Sequence, residues 1–191
     1  GSVKLEGRPI EARHPSDARK MGIGMLPSNR KENAIIKDLS VQANTTIVSL
    51  DRYQHGIKLS LAEEAQAAES ARQRLSIKAD KLTSLITSLS GGNQQKVVLA
   101  KWLDAEPKVM ILSNPTQGVD VGAKNEIYAE IMKLARQGIG IIITSGEAQE
   151  IIKTCDRALV MYHGELRGEL TREEMSDEAI MILCTGGKLA V

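Results

Sequence analysis

The residues whose types and spacing are best suited to binding chemistry form the run LSGGNQQ at positions 89–95. This run lies directly before the apolar run 96–103. Ser90 can cap a helix whose first turn has free N–H groups, and Gly91 and Gly92 allow another molecule close to the backbone. A phosphate oxygen there would meet the positive end of the helix dipole, a nest of amides and the Ser90 hydroxyl. The run predicts an anion-binding helix start. Ser-Gly-Gly alone would leave open an ordinary capped helix after a glycine turn.

A second polar group follows the continuous apolar run Val109–Leu112, which is bounded by Pro107 and Pro115. Such a run is typical of a strand buried on both faces of a parallel sheet, and ligands bind at the carboxyl ends of these strands. The residues at that end are Ser113 and Asn114. Neither can carry negative charge, so this position provides no anionic metal ligand and no general base.

Taken together, LSGGNQQK at 89–96 and QGVDVGAK at 117–124 resemble the ATP-binding cassette (ABC) ATPases of bacterial sugar importers of the ribose, xylose and galactose type. The resemblance covers nearly the whole chain. It implies that Ser90, Gly91, Gly92 and Gln94 form a signature loop that binds ATP, with Mg²⁺, held mainly in trans by a partner cassette. It also implies that Asp120 is the D-loop aspartate reaching across the dimer seam. Asp120 could instead cap the following helix, and both roles can coexist.

Four departures from this family lie at positions that act on a cassette's own nucleotide. Where the family has Asp-Glu to hold magnesium and polarise the attacking water, this chain has Ser113 and Asn114. Ser28 stands at the glutamine-loop position and Gly146 at the switch-histidine position. We therefore predict no catalytic residue and no metal ligand in this chain, which alone should be inactive. Losing a general base costs on the order of 10²- to 10⁴-fold in rate.

The phosphate-binding motif G-x-x-x-x-G-K-S/T does not occur in the sequence, whose only Gly-Lys pair is Gly187-Lys188, followed by Leu189. The resemblance therefore suggests a second, C-terminal cassette that begins downstream of the Walker A loop. It is either a cut chain or a cassette without its first strands and helix. Without the strand that normally completes the centre, we expect a partly exposed sheet edge or face and marginal stability of the isolated chain.

The alternation of strand and helix patterns predicts an α/β fold. With the resemblance, this becomes an incomplete three-layer, P-loop-NTPase-like parallel sheet with a helical subdomain. We expect its strands near residues 23, 109, 140 and 158. The predicted organisation is one ABC-type nucleotide-binding domain fragment over 1–191. Within it, 40–103 form the helical subdomain with the signature loop, and 104–191 form the core sheet and C-terminal helix.

Composition narrows the class of partner. Hydrophobic residues make up 42% of the chain and the net charge is +1 without a dense Lys/Arg tract, which is typical of a globular protein and predicts no nucleic-acid partner. No apolar run reaches membrane-spanning length and no signal peptide is evident, so membrane association should run through a protein. The resemblance implies a partner cassette, transmembrane permease subunits and, indirectly, a periplasmic sugar-binding protein. It also implies a cytoplasmic location, peripheral on the inner face of the bacterial plasma membrane.

One basic pair and the two cysteines receive no specific functional role from the sequence. Arg30 and Lys31 follow a predicted strand and read either as a solvated basic turn or as a phosphate contact. Cys155 and Cys184 fall in predicted helices without metal-type spacing, and we expect buried free thiols in a reducing compartment.

These patterns favour the C-terminal cassette of a sugar importer, as a degenerate half that donates its signature loop in trans and couples closure to the permease. Two alternatives stay open. One is a cassette of a nucleoside importer, and the other is a non-functional or engineered fragment with no nucleotide role.

Overall fold

The structure, a computed structural model, describes residues 1–188; the last three residues of the predicted domain lie outside the described residues. The strands are β1 Val3–Leu5, β2 Arg8–Ile10, β3 Ile23–Leu26, β4 Gln54–His55, β5 Lys58–Leu59, β6 Val109–Ser113, β7 Gly140–Thr144, β8 Arg157–Tyr162 and β9 Glu165–Thr171. The helices are α1 Pro15–Lys20, α2 Arg30–Asn33, α3 Val41–Thr46, α4 Leu61–Arg74, α5 Gly91–Leu103, α6 Val121–Arg136, α7 Ala148–Thr154 and α8 Asp177–Cys184. Short 3₁₀ turns cover Leu50–Tyr53 and Ile86–Ser88.

The central element is a parallel sheet of three strands in the order β3-β6-β7. The register aligns Leu26 with Leu112 and Leu112 with Ile143. Aliphatic runs joined by helical crossovers favour parallel pairing, because a parallel neighbour requires a long connection. The predicted α/β fold with a parallel sheet is therefore confirmed.

The two faces of this sheet differ in cover. Leu26, Met110 and Leu112 on one face are buried within the main hydrophobic cluster, to which α5 and α6 contribute. On the other face, Met25, Ile111 and Ile142 lie in one register row, and Met25 is 50% and Ile142 54% exposed. Parallel sheets are normally covered on both faces. The expectation of a partly exposed sheet face is thus confirmed.

The strand expected near residue 158 is real, but its predicted place in the parallel sheet is wrong. β8 pairs antiparallel with β9, and their connection runs through His163 and Gly164, both at positive φ (48° and 82°). A tight turn of this kind gives β8 an antiparallel partner a few residues away. The hairpin has its own small cluster around Leu170 and Leu183, and α7 packs between α6 and α8.

Segment 40–103 shares its core with the sheet. Val41, Leu75 and Ile86 from this segment lie in the same cluster as Leu26 and Leu112. The boundaries of the helical subdomain remain a prediction, since the hydrophobic contacts run continuously across them.

The expectation of buried thiols is wrong in degree. Cys184 is the last residue of α8 and is exposed, because it lies on the outer side of a helix that buries Leu183. Cys155 follows α7 and is half-buried.

Candidate functional site

The start of α5 is a capped helix N-terminus. Ser90 has an extended backbone (φ −60°, ψ 158°) and its Oγ accepts a hydrogen bond from the Asn93 amide at 3.5 Å. The Asn93 side-chain Nδ2 also donates to Ser90 Oγ, at 2.9 Å. The predicted cap is therefore confirmed, and Ser90 is exposed at the mouth of the helix. The amides of the first turn have no intrahelical acceptor, which makes them available to an anion.

The two glycines that follow are packed against their own chain. A Cβ added to Gly91 would lie 2.6 Å from Arg30 Nη2 and 3.1 Å from the Gly118 carbonyl oxygen. A Cβ added to Gly92 would lie 2.7 Å from the Ala123 Cβ. The distances of 2.6 Å at Gly91 and 2.7 Å at Gly92 are shorter than any ordinary contact of a Cβ atom. The small size of each glycine is therefore required by packing inside this chain. From the sequence alone, we expected these glycines only to let another molecule come close to the backbone.

Two glutamines support the loop from beneath. Gln94 is only 8% exposed, and its Nε2 donates to the Leu89 carbonyl at 3.0 Å. Gln95 Nε2 donates to the Pro115 carbonyl at 2.6 Å, which ties α5 to the turn after β6. In this conformation the Gln94 side chain holds the loop and is not presented at the surface beside Ser90.

Arg30 is the residue that sequence reasoning placed least well. Of the two interpretations left open, the solvated basic turn is wrong for this residue, whose exposure is 6%. Its Nη1 donates to the Gln117 carbonyl at 2.7 Å and its Nη2 to the Gly118 carbonyl at 3.1 Å. Burial lowers the pKa of the guanidinium from its ordinary value. No sequence signal beyond the position of an arginine after a strand end could have indicated this burial.

Asp120 caps the second helix of the site. Its Oδ1 accepts from the Ala123 amide at 3.0 Å, so the capping role of this residue is confirmed. Asp120 remains exposed. The contact of Gly92 with Ala123 sets the first turns of α5 and α6 side by side, so the structure brings the predicted signature loop and D-loop together.

A buried lysine adds a further tie between these two helices. The Lys96 side chain is 5% exposed, and its Nζ lies 2.8 Å from Glu126 Oε2 on α6. The hydrogen bond from Lys96 lowers the pKa of Glu126. Lys96 belongs to the LSGGNQQK run, but the sequence alone did not indicate this contact.

Ser113, Asn114 and Gly146 meet at the carboxyl edge of the sheet. Thr144 Oγ1 donates to Ser113 Oγ at 3.2 Å, and the Gly146 amide lies 3.4 Å from Asn114 Oδ1. Asn114 has a positive φ of 45°, held by the hydrogen bond from its amide to the Thr144 carbonyl at 2.7 Å. Ser28 lies half-buried in the loop after β3, at the same edge of the sheet.

These four positions form a neutral edge. Mg²⁺ is held in proteins by carboxylates together with substrate phosphates, and hydroxyl and amide side chains supply no charge to attract it. The residues present here therefore do not fit a resident magnesium ion. Across residues 1–188, no three His, Cys, Asp or Glu side chains are grouped as metal ligands.

The charged pair beside this edge is local to the chain. Lys124 Nζ lies 2.6 Å from Glu147 Oε2, and this hydrogen bond raises the pKa of Lys124. The pair joins the first turn of α6 to the loop that contains Gly146. Beneath it, buried Glu150 accepts a hydrogen bond from Thr116 Oγ1 at 2.6 Å.

Within residues 1–188, none of the helices has both the length and the apolar character needed to span a membrane.

Comparison with known proteins places this site in a family. The sequence profile described as ABC transporter matches residues 1–117. A xylose import ATP-binding protein from Geobacillus kaustophilus is 41% identical over 188 residues, which are 98% of this chain and 37% of that protein. A ribose import ATP-binding protein from Rubrobacter xylanophilus is 43% identical over 191 residues, or 100% of this chain and 38% of that protein. The chain thus spans less than two fifths of the length of these relatives.

Solved structures agree at the level of the fold. A nucleotide-free ATP-binding cassette from an ABC transporter superposes with a TM-score of 0.76 at 20% identity, covering 97% of this chain and 73% of that chain. A dimeric, post-hydrolysis cassette bound to ADP and Pi gives a TM-score of 0.74 at 19% identity, covering 90% and 73%. With its capped glycine loop, its parallel sheet and the profile match over more than half of its length, this chain belongs to the ABC transporter family.

Proposed function

We propose that this chain is part of the C-terminal cassette of an ATP-binding subunit of a bacterial sugar importer, acting as a degenerate half. In this role it donates its signature loop to ATP held by a partner cassette and passes the closure of the pair to the permease. The observation that carries the proposal is a contrast within one site. The loops that act across a dimer seam are capped and exposed at Ser90 and Asp120, whereas the edge that would act on the chain's own nucleotide is neutral.

The signature side supports binding of an anion. The Ser90 hydroxyl, the amides of Gly91 and Gly92 and the α5 dipole all favour a phosphate oxygen at one place. Asp120 stands at the start of the neighbouring helix, where its carboxylate is free to meet donors of a partner. These groups bind and orient. In this proposal, activation of the attacking water is left to the partner cassette.

The opposite edge supports the degenerate assignment. Bound ATP and Mg²⁺ would supply the transferred phosphoryl group and the neutralisation of its charge. In this chain, Ser113 and Asn114 can accept and donate hydrogen bonds but can neither hold that charge nor remove a proton from water near neutral pH. Gly146 provides only a main-chain amide.

Sugar import is extended to this chain from its relatives. The permease, the periplasmic sugar-binding protein and the place on the inner face of the membrane are what the family resemblance implies. The relatives described as xylose and ribose import ATP-binding proteins are matched by this chain over about 37–38% of their own length. The same surfaces would serve a nucleoside importer, so the solute is an outcome of the experiment and not a premise.

The test is a titration with a fluorescent ATP analogue and magnesium, first of this chain alone and then with an intact first cassette of a sugar importer. We expect no saturable binding alone, and faster hydrolysis in the mixture because Ser90 completes the partner's site. Ser90→Ala should remove the gain, whereas Lys31→Met, a change at an exposed position, should keep it.

Two results would contradict the proposal. Saturable binding by the chain alone at tens of micromolar or tighter, roughly −6 kcal/mol, would require a phosphate site of its own. A mixture with no gain in rate would leave a folded fragment without a nucleotide role. A gain with the cassette of a nucleoside importer but not of a sugar importer would move the assignment to that alternative.

A further inference from the structure

The signature loop and the D-loop have to face the same nucleotide, yet they come from distant parts of the chain. Ser90 follows segment 40–89 and Asp120 follows β6. Since the chain between them includes a helix and a buried strand, sequence continuity does not set the positions of these two side chains relative to each other. Contacts in the folded chain must do so, and the packing of Gly92 against Ala123 is one of them.

Arg30 supplies such a contact from a third segment. It begins α2, just after β3, and its two Nη atoms donate to the consecutive carbonyls of Gln117 and Gly118. The same guanidinium lies against Gly91, at the place where a Cβ would come within 2.6 Å of Nη2. One planar group therefore touches both loops at once.

Arginine suits this place for a specific reason. Its planar fork presents parallel donors, whereas the ammonium of lysine is a compact point charge. Gly118 has a φ of 65°, which turns the main chain between the two carbonyls that Arg30 binds. The lack of a side chain at Gly91 leaves room for the face of the guanidinium.

The arrangement is costly for folding alone. A buried charge loses its hydration, and a cation beside a helix N-terminus faces the positive end of the dipole. Within residues 1–188, Arg30 Nε is buried without a hydrogen-bond partner. An apolar side chain would fill the same space without these penalties, so filling the core does not explain this residue.

We infer that Arg30 is a positioning residue that fixes the loop 117–120 against the signature loop, so that Ser90 and Asp120 meet the partner's nucleotide as one surface. The inference rests on the proposed function for its role in activity. Its structural half, the locking of one loop against the other, does not depend on any nucleotide.

The first readout is hydrogen exchange of the free chain, in wild type, Arg30→Met, Arg30→Lys and the adjacent control Lys31→Met. Without the fork, the hydrogen-bonded amides of Gln117, Val119 and Asn93 should exchange roughly tenfold faster or more in Arg30→Met, and less so in Arg30→Lys. Amides of the β8–β9 hairpin should not change, because that hairpin has a separate core. If all amides of the Arg30 variants exchange faster, including those of the β8–β9 hairpin, the cause is general destabilisation and the inference is overturned.

The second readout is the gain in hydrolysis that the chain gives to an intact cassette. In Arg30→Met the maximal rate should fall about tenfold while the chain concentration for half-maximal effect changes little, because misplaced groups affect the chemical step most. Lys31→Met should behave as wild type. If wild type gives a gain and Arg30→Met gives the same gain, the inference fails. If wild type gives none, the proposed function fails, and hydrogen exchange still decides whether Arg30 locks the two loops.

Discussion

Exchanging the methyl group between positions 92 and 123 should test the contact that holds α5 against α6. In Gly92→Ala, the new Cβ would lie 2.7 Å from the Ala123 Cβ, and neither atom can rotate away because both are attached to helix backbone. Overpacking of this kind costs about 1–3 kcal/mol, while the better helix propensity of alanine returns at most about 1 kcal/mol. We expect the net free energy of unfolding to fall by about 1–2 kcal/mol.

Ala123→Gly alone should cost up to about 1 kcal/mol through helix propensity. In the double variant the methyl group is moved and not added, so the clash disappears. The two changes should therefore be strongly non-additive, with a favourable coupling of about 1–3 kcal/mol.

The assay is urea unfolding followed by the fluorescence of Trp102, the only tryptophan, which lies on α5 and packs against the main cluster. The reasoning would be refuted if Gly92→Ala were as stable as wild type or more so. Additive effects of the two changes would also refute it, since they would show that the two positions do not touch.

Three further predictions follow from single side chains. Burial lowers the pKa of Lys101 to about 8, so between about pH 8 and 10.5 the unfolded chain binds the proton that the folded chain has lost. Wild type should therefore gain stability relative to Lys101→Met as the pH rises through that window, by at most about 1.4 kcal/mol per pH unit, in denaturant titrations at several pH values. A thiol reagent should modify Cys184 before Cys155 in the folded chain, because Cys184 is exposed and burial raises the pKa of the Cys155 thiol; mass spectrometry of the labelled peptides gives the order. Tyr53→Phe should destabilise the chain by about 1–2 kcal/mol in thermal unfolding, because the Tyr53 hydroxyl lies 2.6 Å from the Asp104 carboxylate and its loss removes a hydrogen bond to a charged group.

The parts of this structure that sequence reasoning predicted correctly are those with local causes. Ser90 and Asp120 cap their helices because a short oxygen-bearing side chain reaches an amide three residues ahead, wherever the helix lies. The strands that start at Ile23, Val109 and Gly140 are short aliphatic runs with breakers at their ends.

The parts that were missed depend on contacts between distant segments. The burial of Arg30 depends on two carbonyls nearly ninety positions away in the sequence. The size limits at Gly91 and Gly92 likewise depend on neighbours from other elements. The misplacement of β8 has the same origin, because a strand's pattern gives its existence but not its partner. The absence of charge at Ser113 and Asn114 follows from residue type alone, and its consequence for the chain's own nucleotide stays a prediction.

The uncovered row of Met25, Ile111 and Ile142 has a calorimetric consequence. Unfolding raises the heat capacity by about 12–15 cal/mol/K per residue, mainly because apolar groups become hydrated, which would give about 2.3–2.9 kcal/mol/K for 191 residues. Met25 is already 50% and Ile142 54% exposed to water in the folded chain, so each adds only about half of its apolar area to that increment. Scanning calorimetry should therefore find a larger increment when an element covers this face than for the chain alone.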